Sequence, residues 1–355
     1  MPSDRVVVIG GGPAGMNAAR ACAELGAPTT LLEMRDRLGG MPDSANYAAL
    51  TPDFRPAHEA VAEMVGQVEA LANCEVRTGT RVTAKSGEAP DFALTCERDG
   101  ATETIEAGAI ILATGFQHFD PGRETQMYGY YEYDDVLTLQ DLEAQLGKHS
   151  VVVPSTGKPP ESLCFIQCVG SRDRRIGNTW CSKVCCGVAT KEAIEVKRLV
   201  PECKVYVFYI DMRMYGFWED IYWQAQEEYQ VSFIRGIVTE VIRRGDKLIV
   251  KGEDTTMGKP VEAPMDMVVL SVGMEPSRGT VEMASVLGVP REKHGFIEIV
   301  NAPLDTVTTP VAGIFVAGAA AGPKDLEDSV SMGGLAAAKA VAMLRRSSPQ
   351  AQPVG

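Results

Sequence analysis

Apolar residues run without interruption, rather than at alternate positions, through "RVVVIG" from residue 5, "AGAIILATGF" from residue 107, "SLCFIQCVG" from residue 162 and "MDMVVLSVGMEP" from residue 265. Short apolar runs closed by glycine predict strands buried on both faces, which is the habit of a parallel sheet covered by helices. "PTTLLEM" and "CKVYVFYIDMR" add further strands. Between them lie helical patterns. An alanine-rich helix follows residue 12 and stops at Gly26, and in the segment after residue 184 Ala189, Ala193, Val196 and Val200 form one apolar stripe, with Lys191 on the opposite side facing solvent or the first domain. Strand and helix alternate twice over, so the expected fold class is α/β: two Rossmann-like, three-layer nucleotide-binding domains. The first is expected to be discontinuous, at 1–120 and 277–346. The second is an insert at 121–276, and residues 347–355 form a flexible tail.

Composition narrows the function. The 355 residues carry a formal charge of −13, which argues against non-specific binding to nucleic acid or to an anionic membrane. No apolar stretch reaches the ~18 residues of a membrane span, and the start lacks the basic segment and apolar core of a signal peptide. A cytoplasmic protein is expected. Nine cysteines, an odd number spread over a long chain, do not resemble the disulfide framework of a small secreted domain. In a reducing compartment clustered thiols point to metal or redox chemistry.

The first strand runs into Gly10-Gly11-Gly12-Pro13-Ala14-Gly15 and then into the alanine-rich helix. Strand, tight turn and helix make a dinucleotide site: Gly10 permits the turn, Gly12 admits a pyrophosphate, and Gly15 lets helix approach strand. The next strand ends at Glu33, where a carboxylate accepts hydrogen bonds from an adenosine ribose. Beyond it, Met34 and Arg35 lead to Gly39-Gly40-Met41, which resembles the second fingerprint of flavoproteins of the disulfide-reductase superfamily. The expected cofactor is FAD, with a phosphate loop for another nucleotide or a purely structural turn as the alternatives. Val82 and the strand end Ala113-Thr114-Gly115 join the candidate site, and Ser271-Val272-Gly273 repeats that strand end later in the chain. "TPVAGIFVAGAAAGPKDLEDSV" resembles the last flavin-contacting strand and helix of the same superfamily, and it brings in Gly318, Ala319, Asp325 and Ser329. Most members carry Gly-Asp where this chain has Gly318-Ala319, so flavin binding must rely more on backbone.

The middle domain departs from the superfamily. Its strand "SLCFIQCVG" leads into "SRDRRIGNTWCSKVCCGVATKEA", with cysteines where a second glycine turn belongs. Cys168, Cys181, Cys185 and Cys186 read C-x12-C-x3-C-C, and Cys164 precedes them. Four thiolates suit tetrahedral Zn²⁺ or an iron–sulfur cluster. Adjacent cysteines diverge and fit the separate corners of a cluster better than one small ion, whereas structural zinc usually takes C-x2–4-C pairs; unligated thiols are the third alternative. No C-x-x-C is present, which removes the dithiol of a thioredoxin-reductase-like enzyme.

"FIQCVGSRD", "WCSKVCCGVATKEA", "VYVFYIDMR", "AQEEYQVSFIRG" and "AGAAAGPKDLEDSV" together resemble the core of the heterodisulfide reductase A-subunit family, from about residue 5 to about residue 345. The resemblance implies two domains of the flavin disulfide-reductase type, FAD, and a [4Fe–4S] cluster on Cys168, Cys181, Cys185 and Cys186, with Cys164 spare. It assigns Lys191 to the neighbourhood of the flavin N5, as a catalytic and cofactor-binding cation; a plain surface lysine is the alternative. It also implies other subunits of a heterodisulfide-reductase-like complex as partners, with a homodimer expected from superfamily precedent. The absence of ferredoxin modules resembles the compact form found in sulfur-oxidising complexes. The function expected is electron transfer, through FAD and an iron–sulfur cluster, as one subunit of such a complex. A free-standing NAD(P)H-dependent reductase and a non-catalytic flavin-binding scaffold are the alternatives. The aromatic stretch "MRMYGFWEDIYWQAQEEYQ" is either a partner surface or ordinary core.

Overall fold

The computed structural model describes residues 3–347, which form two compact units. The first comprises residues 3–44, Glu59–Gln117 and 275–347, and the second Ala45–His58 and His118–Met274. Residues 45–58 thus leave the first unit, where the sequence reading keeps them, and pack with the second. Their backbone explains it, because Ala48 N–H donates to Glu143 Oε2 at 2.7 Å and Ala49 C=O accepts from Lys191 Nζ at 3.0 Å. Of the expected tail, Ser347 ends the last helix, and 348–355 lie outside the described residues.

The uninterrupted apolar runs become parallel strands. In the first unit the five-stranded sheet has the order Ile314–Val316, Ala109–Leu112, Val6–Ile9, Thr29–Leu32, Cys74–Arg77, parallel throughout. Successive side chains go to opposite faces. Val6, Val8, Leu31 and Ile111 meet the helices Pro13–Glu24 and Leu326–Ser347. Val7, Ile9, Ile110 and Leu112 meet the helix Arg278–Leu287 and a three-stranded antiparallel meander spanning Thr80–Ala107. Both faces being covered is why the runs are continuous rather than alternating.

The second unit repeats the plan. Its sheet has the order Val136–Thr138, Met267–Val272, Ser162–Val169, Lys204–Tyr209, Ser232–Arg235, again parallel. One face packs on the helices Leu139–Leu146, Cys185–Leu199 and Trp218–Glu227, and the other on an antiparallel meander spanning Val238–Met265. Ser162–Val169 holds the place that Val6–Ile9 holds in the first sheet. The helix Leu139–Leu146 starts at a capping box, with Thr138 Oγ1 accepting from Asp141 N–H while Asp141 Oδ2 accepts from Thr138 N–H at 2.8 Å. In the aromatic stretch, Trp218 lies against Gly187 while Phe217 is 86% exposed, so one segment supplies both packing and surface. Among the described residues no helix is long and apolar enough to cross a membrane.

The two long helices of the first unit touch closely where Gly333 faces the first. A Cβ at Gly333 would lie 2.4 Å from the Ala14 carbonyl oxygen and 3.1 Å from Ala18 N, both backbone atoms that cannot rotate away. Gly333→Val is therefore expected to destabilise the protein by about 1–3 kcal/mol, the usual cost of forcing extra methyl groups into a packed interior. Lower thermal and urea midpoints would register it.

Candidate functional site

Parallel strands all end on one edge of their sheet, and ligands of open α/β sheets bind outside that carboxyl edge. In the first unit the predicted residues lie there. Gly10 follows Val6–Ile9 with φ +113°, and a Cβ on it would stand 2.4 Å from the Ala113 carbonyl oxygen, so only glycine makes this turn. The helix beginning at Pro13, with Ala14 and Gly15 in its first turn, has Gly12 as its N-cap and no side-chain cap, which leaves its first N–H groups for an anion. Gly39 N–H donates to Gly11 C=O at 2.9 Å, and Gly40 (φ +62°) comes so close to Gly12 that an added Cβ would sit 2.5 Å from its Cα. The two glycine fingerprints form one cradle that a side chain would fill.

Glu33 closes the second strand and is almost fully buried. Its Oε2 accepts from Gly11 N–H at 2.7 Å and its Oε1 from Arg35 N–H at 2.8 Å. Two backbone donors hold the carboxylate aimed, and each oxygen keeps a further lone pair for a ribose hydroxyl. Met34 is 65% exposed. Met41 sits in the short helix Gly40–Ser44. After Ala109–Leu112, Ala113 is buried, Thr114 Oγ1 shares a hydrogen bond with Thr280 Oγ1 at 2.7 Å, and Gly115 C=O accepts from Thr280 Oγ1 at 2.8 Å. Ser277 Oγ donates to Thr114 C=O at 3.0 Å while capping its own helix through Thr280 N–H. These two hydroxyls were not foreseen, although Ser277-x-x-Thr280 is a legible cap signal.

Gly318 and Ala319 follow the strand Ile314–Val316 in a short 3₁₀ turn. Asp325 Oδ1 accepts from Asp328 N–H at 2.7 Å, and Ser329 Oγ donates to Asp325 C=O at 2.7 Å, so both residues are used in starting the last helix. Val82 stands apart in character. Its side chain is sealed in the apolar core with Phe92, Leu94 and Leu112, which leaves only its backbone to meet a ligand. The cradle and the anchored carboxylate fit the pyrophosphate and ribose of a dinucleotide such as FAD.

The second unit carries different donors at the corresponding edge. Cys168, the next-to-last residue of the strand Ser162–Val169, has φ +64° at a register shift between Ile166 and Val169, and Cys185 and Cys186 open the helix Cys185–Leu199. Cys168 hydrogen-bonds Cys185, and Cys185 hydrogen-bonds Cys186. Accepting from Cys185 outweighs burial and, with Arg172 and Arg213 nearby, lowers the Cys168 thiol to about 7. The Cys186 thiol is lowered by the same neighbour against burial, with help from the Arg213 backbone. The central Cys185, in contact with both and fully buried, is pushed well up. Cys181 is not among the groups that dominate these shifts, and its sulfur accepts Lys183 N–H at 3.3 Å. Cys164 is fully buried in the strand on the meander side, where burial raises its thiol.

Among the described residues no set of three or more His, Cys, Asp or Glu side chains has the spacing to hold a metal ion. Cys168, Cys185 and Cys186 neighbour one another, and Cys181 is engaged in its own loop. The surroundings nevertheless suit a soft inorganic group. Ser171 Oγ and Arg172 Nη1, donors close to Cys168 in the chain, lack hydrogen-bond partners, and a sulfur acceptor would satisfy them; both polar atoms of the Gln167 amide are likewise unpaired. The loop itself is rigid. Arg172 N–H bonds Trp180 C=O, Asp173 N–H bonds Asn178 C=O, and Trp180 Nε1 donates to Met274 C=O at 2.9 Å.

Lys191 is where the sequence expectation changes most. It is not on a solvent face but fully buried, because the helix Leu139–Leu146 and residues 45–58 cover the side opposite the apolar stripe. Its Nζ contacts Glu143 Oε1 and lies 3.2 Å from Glu195 Oε2. Burial disfavours its charge, but Glu143, Glu195 and Glu192 more than offset this and hold its pKa above the ordinary lysine range. A surface lysine is ruled out.

A pyridine nucleotide-disulphide oxidoreductase model matches residues 4–342. The A subunit of a ferredoxin/F(420)H(2)-dependent CoB-CoM heterodisulfide reductase from Methanosarcina acetivorans is 31% identical over 99% of this chain and 55% of its own length. An iron-sulfur A subunit of CoB–CoM heterodisulfide reductase from Methanopyrus kandleri is 40% identical over 70% of this chain and 39% of its own. The chain thus spans about half, or less, of the curated relatives it matches. Among solved structures, thioredoxin reductase from Lactococcus lactis shares the fold with a TM-score of 0.65 at 24% identity, covering 98% of this chain and all of that one. Thioredoxin reductase from T. acidophilum gives 0.64 at 20% identity, covering 96% of this chain and 99% of that one. The repeated three-layer unit, the glycine cradle with its anchored carboxylate and these matches lead to one assignment: the chain belongs to the pyridine nucleotide-disulphide oxidoreductase family of flavoproteins, with heterodisulfide reductase A subunits as its curated homologues.

Proposed function

We propose that the chain is an electron-transfer subunit that binds FAD in its first unit and a [4Fe–4S] cluster in its second, and that it works with other subunits of a heterodisulfide-reductase-like complex on sulfur compounds. The observation that carries this reading is the convergence of the Cys168, Cys185 and Cys186 thiols at the strand edge where the first unit has its glycine turn. The relatives' names support it, since they are A subunits and one is called an iron-sulfur subunit.

In this reading the backbone from Gly10 to Gly15 and the helix N-terminus hold the pyrophosphate, Glu33 the ribose, and the backbones of Ala113–Gly115 and Gly318–Ala319 the remainder of the flavin. Cys168, Cys181, Cys185 and Cys186 hold the cluster. When bound, the flavin supplies two-electron and the cluster one-electron exchange. Arg172 and Arg213 favour thiolate at Cys168, the form that ligates metal. Gln167 and Ser171 supply unpaired polar atoms around the sulfur. Lys191 is the proposed functional cation, its charge secured by Glu143 and Glu195.

A free-standing NAD(P)H-dependent reductase finds less support. Where the second unit would need a phosphate-binding turn, the 173–178 hairpin stands.

Two measurements test the proposal. Cys185→Ser, purified without air, is expected to lose most iron and acid-labile sulfide while keeping its FAD; equal iron in variant and parent would overturn the ligand assignment. Glu33→Ala removes charge-assisted hydrogen bonds of about 1.5–3 kcal/mol. Flavin titration of the apoprotein should then show FAD affinity weakened by roughly 10- to 100-fold.

A further inference from the structure

The helices Leu139–Leu146 and Cys185–Leu199 bring three carboxylates and one ammonium into the interior of the second unit. Glu143 is 2% exposed, Lys191 and Glu192 are 0% exposed, and Glu195 is half-buried. Both Glu143 oxygens accept one donor: Oε2 takes Ala48 N–H at 2.7 Å and Oε1 takes the Lys191 ammonium. Glu195 Oε2 lies 3.2 Å from the same ammonium. Glu192 has no such donor, and neither of its oxygens meets any N–H or O–H. What it does meet is the Glu143 carboxyl, at hydrogen-bonding range.

Two acceptors in contact need a proton between them. With every carboxyl ionised, the cluster would hold three negative charges against one positive, with Glu192 buried and without a donor. An isolated carboxylate in such a place neutralises rather than bearing the desolvation penalty. We infer that Glu192 carries a proton at neutral pH and donates it to Glu143, so that the Glu143–Glu192 pair is a buried proton-binding site. With that proton in place Lys191 serves Glu143 and the Ala49 carbonyl, with Glu195 ion-paired beside it, and Glu192 serves Glu143. Burial first, and the charge of Glu143 second, raise the Glu192 carboxyl well above the ordinary range, in agreement with this arrangement.

The groups facing the pair come from every neighbouring element. Its own helix contributes Lys191 and Glu195, and residues 45–58 contribute Tyr47, whose phenol is raised by burial and by Glu143 and Glu192 and whose hydroxyl lies 3.2 Å from His118 Nε2. The strands beneath offer Leu163, Phe165, Val207, Met267 and Val269, and the helix Trp218–Glu227 offers Ile221 and Ala225, all apolar. Lys191 is therefore the one cation against the pair among the described residues, already shared by two carboxylates. The site goes beyond the electron-transfer reading and does not depend on it, since it would exist in a protein that held no iron.

Infrared spectroscopy of the full chain, as purified, tests the inference. At neutral pH the wild type should show a protonated carboxyl C=O band above the amide region, shifted in D2O and lost in Glu192→Gln while persisting in Glu195→Gln. The stability profile gives a second readout. A carboxyl whose folded pKa is raised contributes stability below its unfolded pKa and loses it as pH rises toward the folded value. The folding equilibrium of wild type relative to Glu192→Gln should therefore fall by up to about tenfold per pH unit above the ordinary glutamate range. Absence of the band from wild type overturns the inference whatever the variant does, as does a Glu192→Gln protein with an unchanged spectrum or a constant stability gap.

Discussion

Burying both faces of a parallel sheet leaves one place for polar chemistry, the edge where the strands end. Each unit of this chain obeys that constraint, and everything functional in it follows. Side chains along Val6–Ile9 and Leu163–Ile166 are committed to packing, so the residues free to approach a ligand come where each run gives out: Gly10 in one unit, Cys168 in the other. Both have positive φ. A positive-φ residue thus stands near the end of each run, a glycine against Ala113 in the first unit and a thiol beside Cys185 in the second. A duplicated scaffold thus presents hard-anion donors at one edge and soft sulfur at the other.

What the edge holds determines how polar groups near it are satisfied. In the first unit the backbone does the work, and Glu33 is anchored by two N–H groups in the protein itself. In the second unit Gln167, Ser171 and Arg172 retain buried, unpaired atoms. Native interiors keep few of these, and those they keep are generally met by water, an ion or a ligand.

Residues whose role depends on local periodicity were legible in the sequence. The apolar runs, the glycine turn, Glu33 at its strand end and the capping acids of the last helix belong to this class, because a strand, a tight turn or a cap is decided within a few positions. Residues whose role depends on a partner far along the chain were not. The helical stripe put Lys191 opposite the apolar face, which it is, but nothing within the helix announces that Glu143 and the backbone of Ala49 come to cover that face. Nothing in the sequence singles out Glu192, for the same reason. The excursion of residues 45–58 was equally silent, since its attachment consists of two backbone groups meeting side chains about a hundred residues or more away. The cysteine spacing named the loop but not the present arrangement of the thiols, which depends on the register shift at Cys168.

The strand Ile314–Val316 completes the first sheet beside Ala109–Leu112, and the last helix then seals the face around Val6 and Ile111. During synthesis the amino-terminal strands must therefore wait, with that face open to water, until the segment through Ser347 has been made. Meanwhile the second sheet, whose strands all lie between Val136 and Val272, can assemble from chain already available. Long-range closure of this kind slows folding and prolongs the exposure of sticky surface. Completion of the first unit is thus the later event.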